Sequence, residues 1–274
     1  MTAPQTPPLP KPSLASETAE TPETPEPGAA RPTTAPARQE GTWAAPVERL
    51  DGSRLPAGAI NLAGRRPTSP IQGFGQLWQK TFRVQLPGAA TTPAQVIAAW
   101  KEHYGEFWPA GNRFSAPLTG LAPGEVGVIR SAQGPMQLST GVLVLYADDE
   151  SFTFMTPEGH PFAGWITFSA SAEGDAPVAA QVQALIRASD PIYEVMFKLG
   201  FGKVEDQMWV HTLTQLAAYF GVHGQSVETS ITCVDRRRQW AHAGNVWQNA
   251  GIRSSIHTVG APVRFLARPF RRHA

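Results

Sequence analysis

The chain has 274 residues, 23 Lys and Arg against 22 Asp and Glu, a formal net charge of +1 and one cysteine. So balanced a charge removes the case for binding nucleic acid over the whole surface. The lone Cys233 excludes an intramolecular disulfide framework and a multi-cysteine zinc site. No apolar run approaches the ~18 residues of a membrane span, and the first residues carry neither the basic nor the apolar stretch of a secretory leader, so a cytoplasmic protein is expected.

Eleven of the 26 prolines fall within residues 1–50, among Ala, Thr and Glu. Such a segment buries too little apolar surface to offset its ordering entropy, and residues 1–70 are expected to be a disordered tail. Pro7-Pro8-Leu9-Pro10 and Pro22-Glu23-Thr24-Pro25 have the PxxP spacing of polyproline ligands, a spacing that chance supplies in so proline-rich a tract. From Ile71 the pattern becomes structural. Trp78, Phe82, Val84 and Leu86 alternate with polar residues, interrupted on the apolar side only by Lys80, which predicts a half-buried strand. Thr92-Pro93-Ala94-Gln95 combines an N-cap, a first-turn proline and a capping-box Gln, and the stripe Val96, Trp100, Tyr104, Phe107 predicts a helix over 93–108.

Strands are expected over 124–130, 138–146, 152–156, 165–171 and 178–187. Hairpin turns fall at Asp148-Asp149-Glu150 and at Glu173-Gly174-Asp175. In the last strand Val178, Ala180, Val182, Ala184 and Ile186 face one way, whereas Gln181, Gln183 and Arg187 face the other, which gives an antiparallel sheet with one wet face. Asp190-Pro191 opens a long helix to about residue 220, broken or bent at Gly200 and Gly202. Residues 234–274 hold eight Arg and one acidic residue, Asp235. The segment 223–274 is therefore read as a basic extension. Within it a helix over 235–250 would align Trp240, Ala243, Trp247 and Ala250, with Arg236, Arg237 and Arg238 in its first turn, against the helix dipole and free to contact an anionic surface.

The order strand, helix, five strands, long helix implies an α+β layer architecture over 71–222. It resembles the helix-grip fold of the START/Bet v 1-like (SRPBCC) superfamily, in which a curved antiparallel sheet wraps a C-terminal helix around an apolar cavity. Within it, Phe154-Met155-Thr156-Pro157-Glu158-Gly159-His160-Pro161, with Gly164 and Phe168, resembles the T-L-P-G-H-P…G-E…F signature of the DUF1990 (UPF0548) family. Trp165 stands where that family usually has Glu, and the family brings no established activity.

The chemistry legible in the chain is sparse. There is no Gly-x-Ser-x-Gly elbow, Walker A loop, His-Glu-x-x-His pair or dinucleotide fingerprint, and neither a metal site nor a cofactor is expected. His160, in a loop beside Glu158, serves either as a general base or ligand donor facing the cavity, or as a turn histidine satisfying backbone groups. Asp190 is explained by its N-cap. Arg187 either pairs with Asp190 or reaches an anionic ligand head. Trp78, Trp165 and Trp209 are candidates to line a cavity. Cys233 falls outside the expected domain.

Three functions follow. The first is non-catalytic binding of a small apolar or amphipathic ligand between sheet and helix, at Trp78, His160, Trp165, Arg187 and Trp209, which requires a void of about 300 Å³. The second is a cyclase- or hydrolase-like enzyme using His160 with Glu158 or Asp190. The third is an adaptor acting through the two tails.

Overall fold

The computed structural model describes residues 41–52, 55, 59–133 and 136–259. The two PxxP segments lie outside these residues. The described strands are β1 (Pro67–Thr68), β2 (Leu77–Gln85), β3 (Asn112–Ser115), β4 (Val126–Gln133), β5 (Met136–Ala147), β6 (Ser151–Pro157), β7 (Phe162–Ser171), β8 (Ala179–Ala188) and β9 (Glu228–Asp235). They form a curved antiparallel sheet of order β3-β4-β5-β6-β7-β8-β2-β9, with β1 paired to the end of β6. Each expected strand is present, and both expected hairpins join the strands they should. Asp148 makes the first turn, its Oδ1 accepting the N–H groups of Glu150 and Ser151 at 2.8 Å each.

Helix α1 (Pro93–Glu102) starts as its cap predicts: Thr92 Oγ1 accepts the Gln95 N–H at 3.3 Å and Gln95 Oε1 accepts the Thr92 N–H at 2.9 Å. It ends at residue 102 rather than 108. Gly105 lies so close to β3 that a Cβ there would sit 3.1 Å from the Phe114 carbonyl oxygen, and the chain leaves the helix to make that approach. Tyr104, Phe107 and Trp108 still enter the core. The second helix begins at Asp190, whose Oδ1 accepts from Ile192 and Tyr193 at 2.8 and 3.0 Å. It runs as α2 (Pro191–Met196), a widened π-type turn over Phe197–Phe201, and α3 (Gly202–Tyr219). The bend is at Gly200, with φ +117°, where a side chain would be strained; Gly202 keeps ordinary helical angles.

The core lies between the inward face of the sheet and these helices. Phe82, Trp100, Phe152, Phe154, Phe168, Leu213 and Leu216 are fully buried there. Phe168 stacks on Phe152 at 4.7 Å between ring centres and meets Trp100 edge-on at 5.3 Å. The sheet and its gripped helix make this an α+β helix-grip fold.

The flanking segments depart from expectation. The described residues among 42–68 are not a tail: Ala44 donates to the Leu145 carbonyl at 2.9 Å, and Leu50 and Leu62 pack with Val128 and Leu143 on the outward face in a second, smaller core. Two of the few apolar residues of this stretch, Leu50 and Leu62, are buried there, which average composition conceals. Beyond residue 222 the chain adds β9 alongside β2, so Cys233 sits in the sheet opposite Trp78. No helix spans 235–250. Residues Trp240–Gln248 form 3-10 turns, followed by α4 (Ala250–Val259). At three residues per turn Trp240 and Ala243 align but Trp247 leaves the line, and Trp240 and Trp247 are 73% and 85% exposed. Arg236, Arg237 and Arg238 thus follow a strand and open no helix. Arg237 and Arg238 face carboxylates of the domain, Asp235 at 3.4 Å and Glu194 at 3.0 Å.

The two flanks meet on the outward face of the sheet. Asn61, in the left-handed region at φ +64°, donates from Nδ2 to the Ser139 carbonyl (2.9 Å) and Ser254 Oγ (3.1 Å) and accepts from Arg253 Nε at 3.1 Å. Arg187 is a second tie. It is 4% exposed, donates to the Gly75 and Arg237 carbonyls at 2.7 and 2.9 Å, and pairs with Asp235 at 2.7 Å. It pairs with Asp235 rather than with Asp190, because the outward face that it occupies is covered by the returning chain.

Deleting residues 223–259 would strip Arg187 of two of its partners while it stays buried, and the truncated chain should lose its cooperative thermal transition by circular dichroism. Hydrogen bonds from the Arg237 backbone and from Arg187 hold the Asp235 carboxyl at about 2. A folded pKa below the ordinary 3.8 contributes stability that is present above pH 4 and lost as pH falls toward 2. Asp235→Asn should therefore lower Tm at pH 6, and the gap to the native chain should shrink as both are acidified to pH 2.

Candidate functional site

The bend at Gly200 leaves a gap between helix and sheet. A cavity of about 170 Å³ occupies it, walled on the sheet side by Phe154, Trp165, Ile166, Ala184 and Ile186, and on the helix side by Tyr193, Phe197, Phe201, Met208 and Trp209. The walls are apolar almost throughout. The volume falls short of the roughly 300 Å³ that a drug-sized pocket needs, because the π turn carries two phenylalanines into the space that its wider pitch opens.

Besides the polar side chains of Asn112, Ser131 and Thr156, a histidine and a carboxylate stand at the cavity. His160 reaches it from the loop before β7. Its Nδ1 lies 3.1 Å from the Phe162 backbone nitrogen and 3.2 Å from the Phe162 carbonyl oxygen, which ties the ring to its own loop, and burial draws its pKa down to about 4. The ring is neutral at pH 7 and a weak proton acceptor there. Neither acid proposed for it is a partner. Glu158 accepts the Arg66 backbone N–H at 3.2 Å. Asp190 spends Oδ1 on the helix cap and accepts Asn249 Nδ2 on Oδ2 at 2.8 Å. The His160–acid pair that the enzyme reading needs is not assembled.

The carboxylate is Glu205. Its Oε2 accepts Lys80 Nζ at 2.5 Å, its Oε1 accepts Trp209 Nε1 at 2.5 Å, and Asp206 takes a second Lys80 bond at 2.5 Å. Burial raises the Glu205 carboxyl above the ordinary range. Burial also pulls Lys80 down, but the two carboxylates outweigh it and the ammonium titrates above its usual value. This cluster escaped the sequence reading, although its signal was Lys80 itself, the one charge on the inward side of β2.

A second cavity of about 260 Å³ lies on the far side of Phe162 and Phe197, two rings stacked 4.5 Å apart at 4° that line both spaces with Ile186. Its wall includes Trp78, Lys80 and Arg187. Of the residues expected at a ligand site, His160, Trp165 and Trp209 therefore share the first cavity, while Trp78 and Arg187 line the second. Phe162 and Phe197 were not singled out, because an aromatic residue in a strand or helix carries no mark of standing between two voids.

No family model matches the chain, so the DUF1990 resemblance has no family match behind it, and no curated protein matches it. Similar solved structures include protein Ms6760 from Mycobacterium smegmatis, at 14% identity and a TM-score of 0.36 over 52% of this chain and 89% of that one. Ara h 8.0201 is similar at 12% identity and a TM-score of 0.36, over 52% and 97%. Ginseng major latex-like protein 151 from Panax ginseng is similar at 13% identity and a TM-score of 0.31, over 53% and 99%. Likeness at this level says nothing about activity. Among the described residues, no helix is long and apolar enough to cross a membrane.

Two measurements follow from the polar groups. Lys80→Met leaves Glu205 buried without its counter-charge and should cost ~3–5 kcal/mol in urea unfolding, most of it recovered in Lys80→Met/Glu205→Leu. For His160, a folded pKa of about 4 against the usual 6.5 means that the unfolded chain takes up its proton first. Stability is full above pH 6.5 and declines as pH falls to 4, so His160→Asn should flatten the Tm profile across that window.

Proposed function

We propose that this protein is a non-catalytic carrier or sensor of a small apolar molecule, held between the sheet and the bent helix. The observation that carries the reading is the apolar-walled cavity of about 170 Å³, which is partly open to solvent. Its size sets the ligand. An engineered cavity of ~150 Å³ with comparable walls stays dry and takes up benzene, so the fitting molecule has one ring or a short chain. The His160 ring is a polar group at the wall, held neutral and so suited to orienting a ligand by a hydrogen bond rather than to moving protons.

The competing readings have less behind them. An enzyme would need a base matched to neutral pH with an acid beside it, whereas His160 is held neutral and Glu158 and Asp190 are engaged elsewhere. An adaptor working through free tails loses much of both arms, since the described residues among 42–68 and residues 228–259 have places in the domain.

Titration with toluene or indole should give a saturable change in tryptophan fluorescence, because Trp165 and Trp209 are part of the wall. Ala184→Leu, which adds three carbons inside the cavity, should abolish the change while leaving the far-ultraviolet circular dichroism intact. A titration in which Ala184→Leu binds as well as the native chain would contradict the proposal.

A further inference from the structure

We infer that the two cavities form one site for an organic acid, its apolar body in the first and its carboxylate in the second; this rests on the ligand-binding reading above and specifies the ligand. The cavities are adjacent, with Phe162, Ile186 and Phe197 common to both walls. Two of these, Phe162 and Phe197, are a pair of stacked rings bordering both spaces. One of those rings, Phe197, belongs to the π turn that Gly200 bends, where the helix is held least rigidly by regular hydrogen bonding. A molecule that displaces one ring spans both spaces.

The walls differ in chemistry. The first cavity is apolar, but the second carries four cations, Lys80, Arg187, Lys198 and Lys203, against two carboxylates, Glu194 and Asp206. These charges are not equally available. Lys80 is committed to Glu205 and Asp206, and Arg187 to Asp235. Glu194, a single acid, is shared between Lys198 at 3.6 Å and Arg238 at 3.0 Å. Lys203 has no ion-pair partner among the described residues. The surplus is therefore cationic, next to an apolar chamber, which selects an acid over an alcohol or an amine of the same skeleton.

The test compares 4-phenylbutyrate, 4-phenylbutanol and toluene by calorimetry on the full chain, at low and high salt. The acid should bind about tenfold more tightly than the alcohol at low salt, an advantage that shrinks as salt screens it. The advantage should disappear in Lys198→Glu/Lys203→Glu and persist in Arg113→Glu/Arg130→Glu, two exposed positions on β3 and β4. The acid-to-alcohol ratio is read within each variant, so any loss shared by both ligands cancels. Equal affinity for acid and alcohol, or an advantage that survives Lys198→Glu/Lys203→Glu, overturns the anion site while toluene binding leaves the apolar site standing. If toluene fails as well, the apolar site falls, and the acid site with it.

Discussion

A lysine on the inward side of a half-buried strand must be given counter-charges or be expelled, and the rest of this site follows from how Lys80 is satisfied. Its neighbours on that face, Phe82 and Val84, are fully buried, so the ammonium has only the gripped helix to turn to. The helix answers with Glu205 and Asp206 in its first turn. Two carboxylates on one ammonium fix the rotation of α3 about its axis, which directs Trp209, Leu213 and Leu216 into the core beyond. The same cluster divides the space under the helix. Glu205 and its Trp209 partner stand at the apolar cavity, while Lys80 and Asp206 stand at the charged one.

The bend at Gly200 supplies the complementary condition. Farther along, Leu213 and Leu216 of α3 pack into the buried core. At the bend, the widened turn leaves a gap that Phe197 and Phe201 only partly occupy. A straight helix with the same residues would have closed that space. The outward face of the sheet is sealed independently, by the chain on either side of the helix-grip unit. Asn61 ties the incoming segment to α4, and Arg187 ties β8 to the chain leaving β9. That double coverage explains why a strand pattern with a polar outer face has Arg187 buried in it.

Much of the fold was legible in the sequence, and the reason is local. The alternation in β2 and β8, the capping box at Thr92 and the Asp190-Pro191 cap are short-range signals, and each forms as its residues require. What was missed depends on distant residues. Leu50 and Leu62 sit alone in a proline-rich stretch, and only the outward faces of β4 and β5 give them a place. The strand over 228–235 needs the free edge of β2, and the 3-10 turns after it have no periodicity to announce them. At the site, Trp165, Trp209 and His160 were visible as residue types with a plausible position. The Lys80–Glu205–Asp206 cluster joins residues 125 and 126 positions apart, a pairing that charge alone does not reveal.

The central claim is that an apolar void, not a packed core or a water pocket, lies between sheet and helix at the bend. Diffraction from a crystal held under xenon pressure tests it most directly, since dry apolar cavities of ~150 Å³ take up xenon and polar ones hold ordered water. The account predicts xenon density bounded by Phe154, Trp165 and Met208, with the surrounding side chains unmoved. Side chains filling that space, or ordered waters bridging His160 and Glu205 across it, would contradict the account.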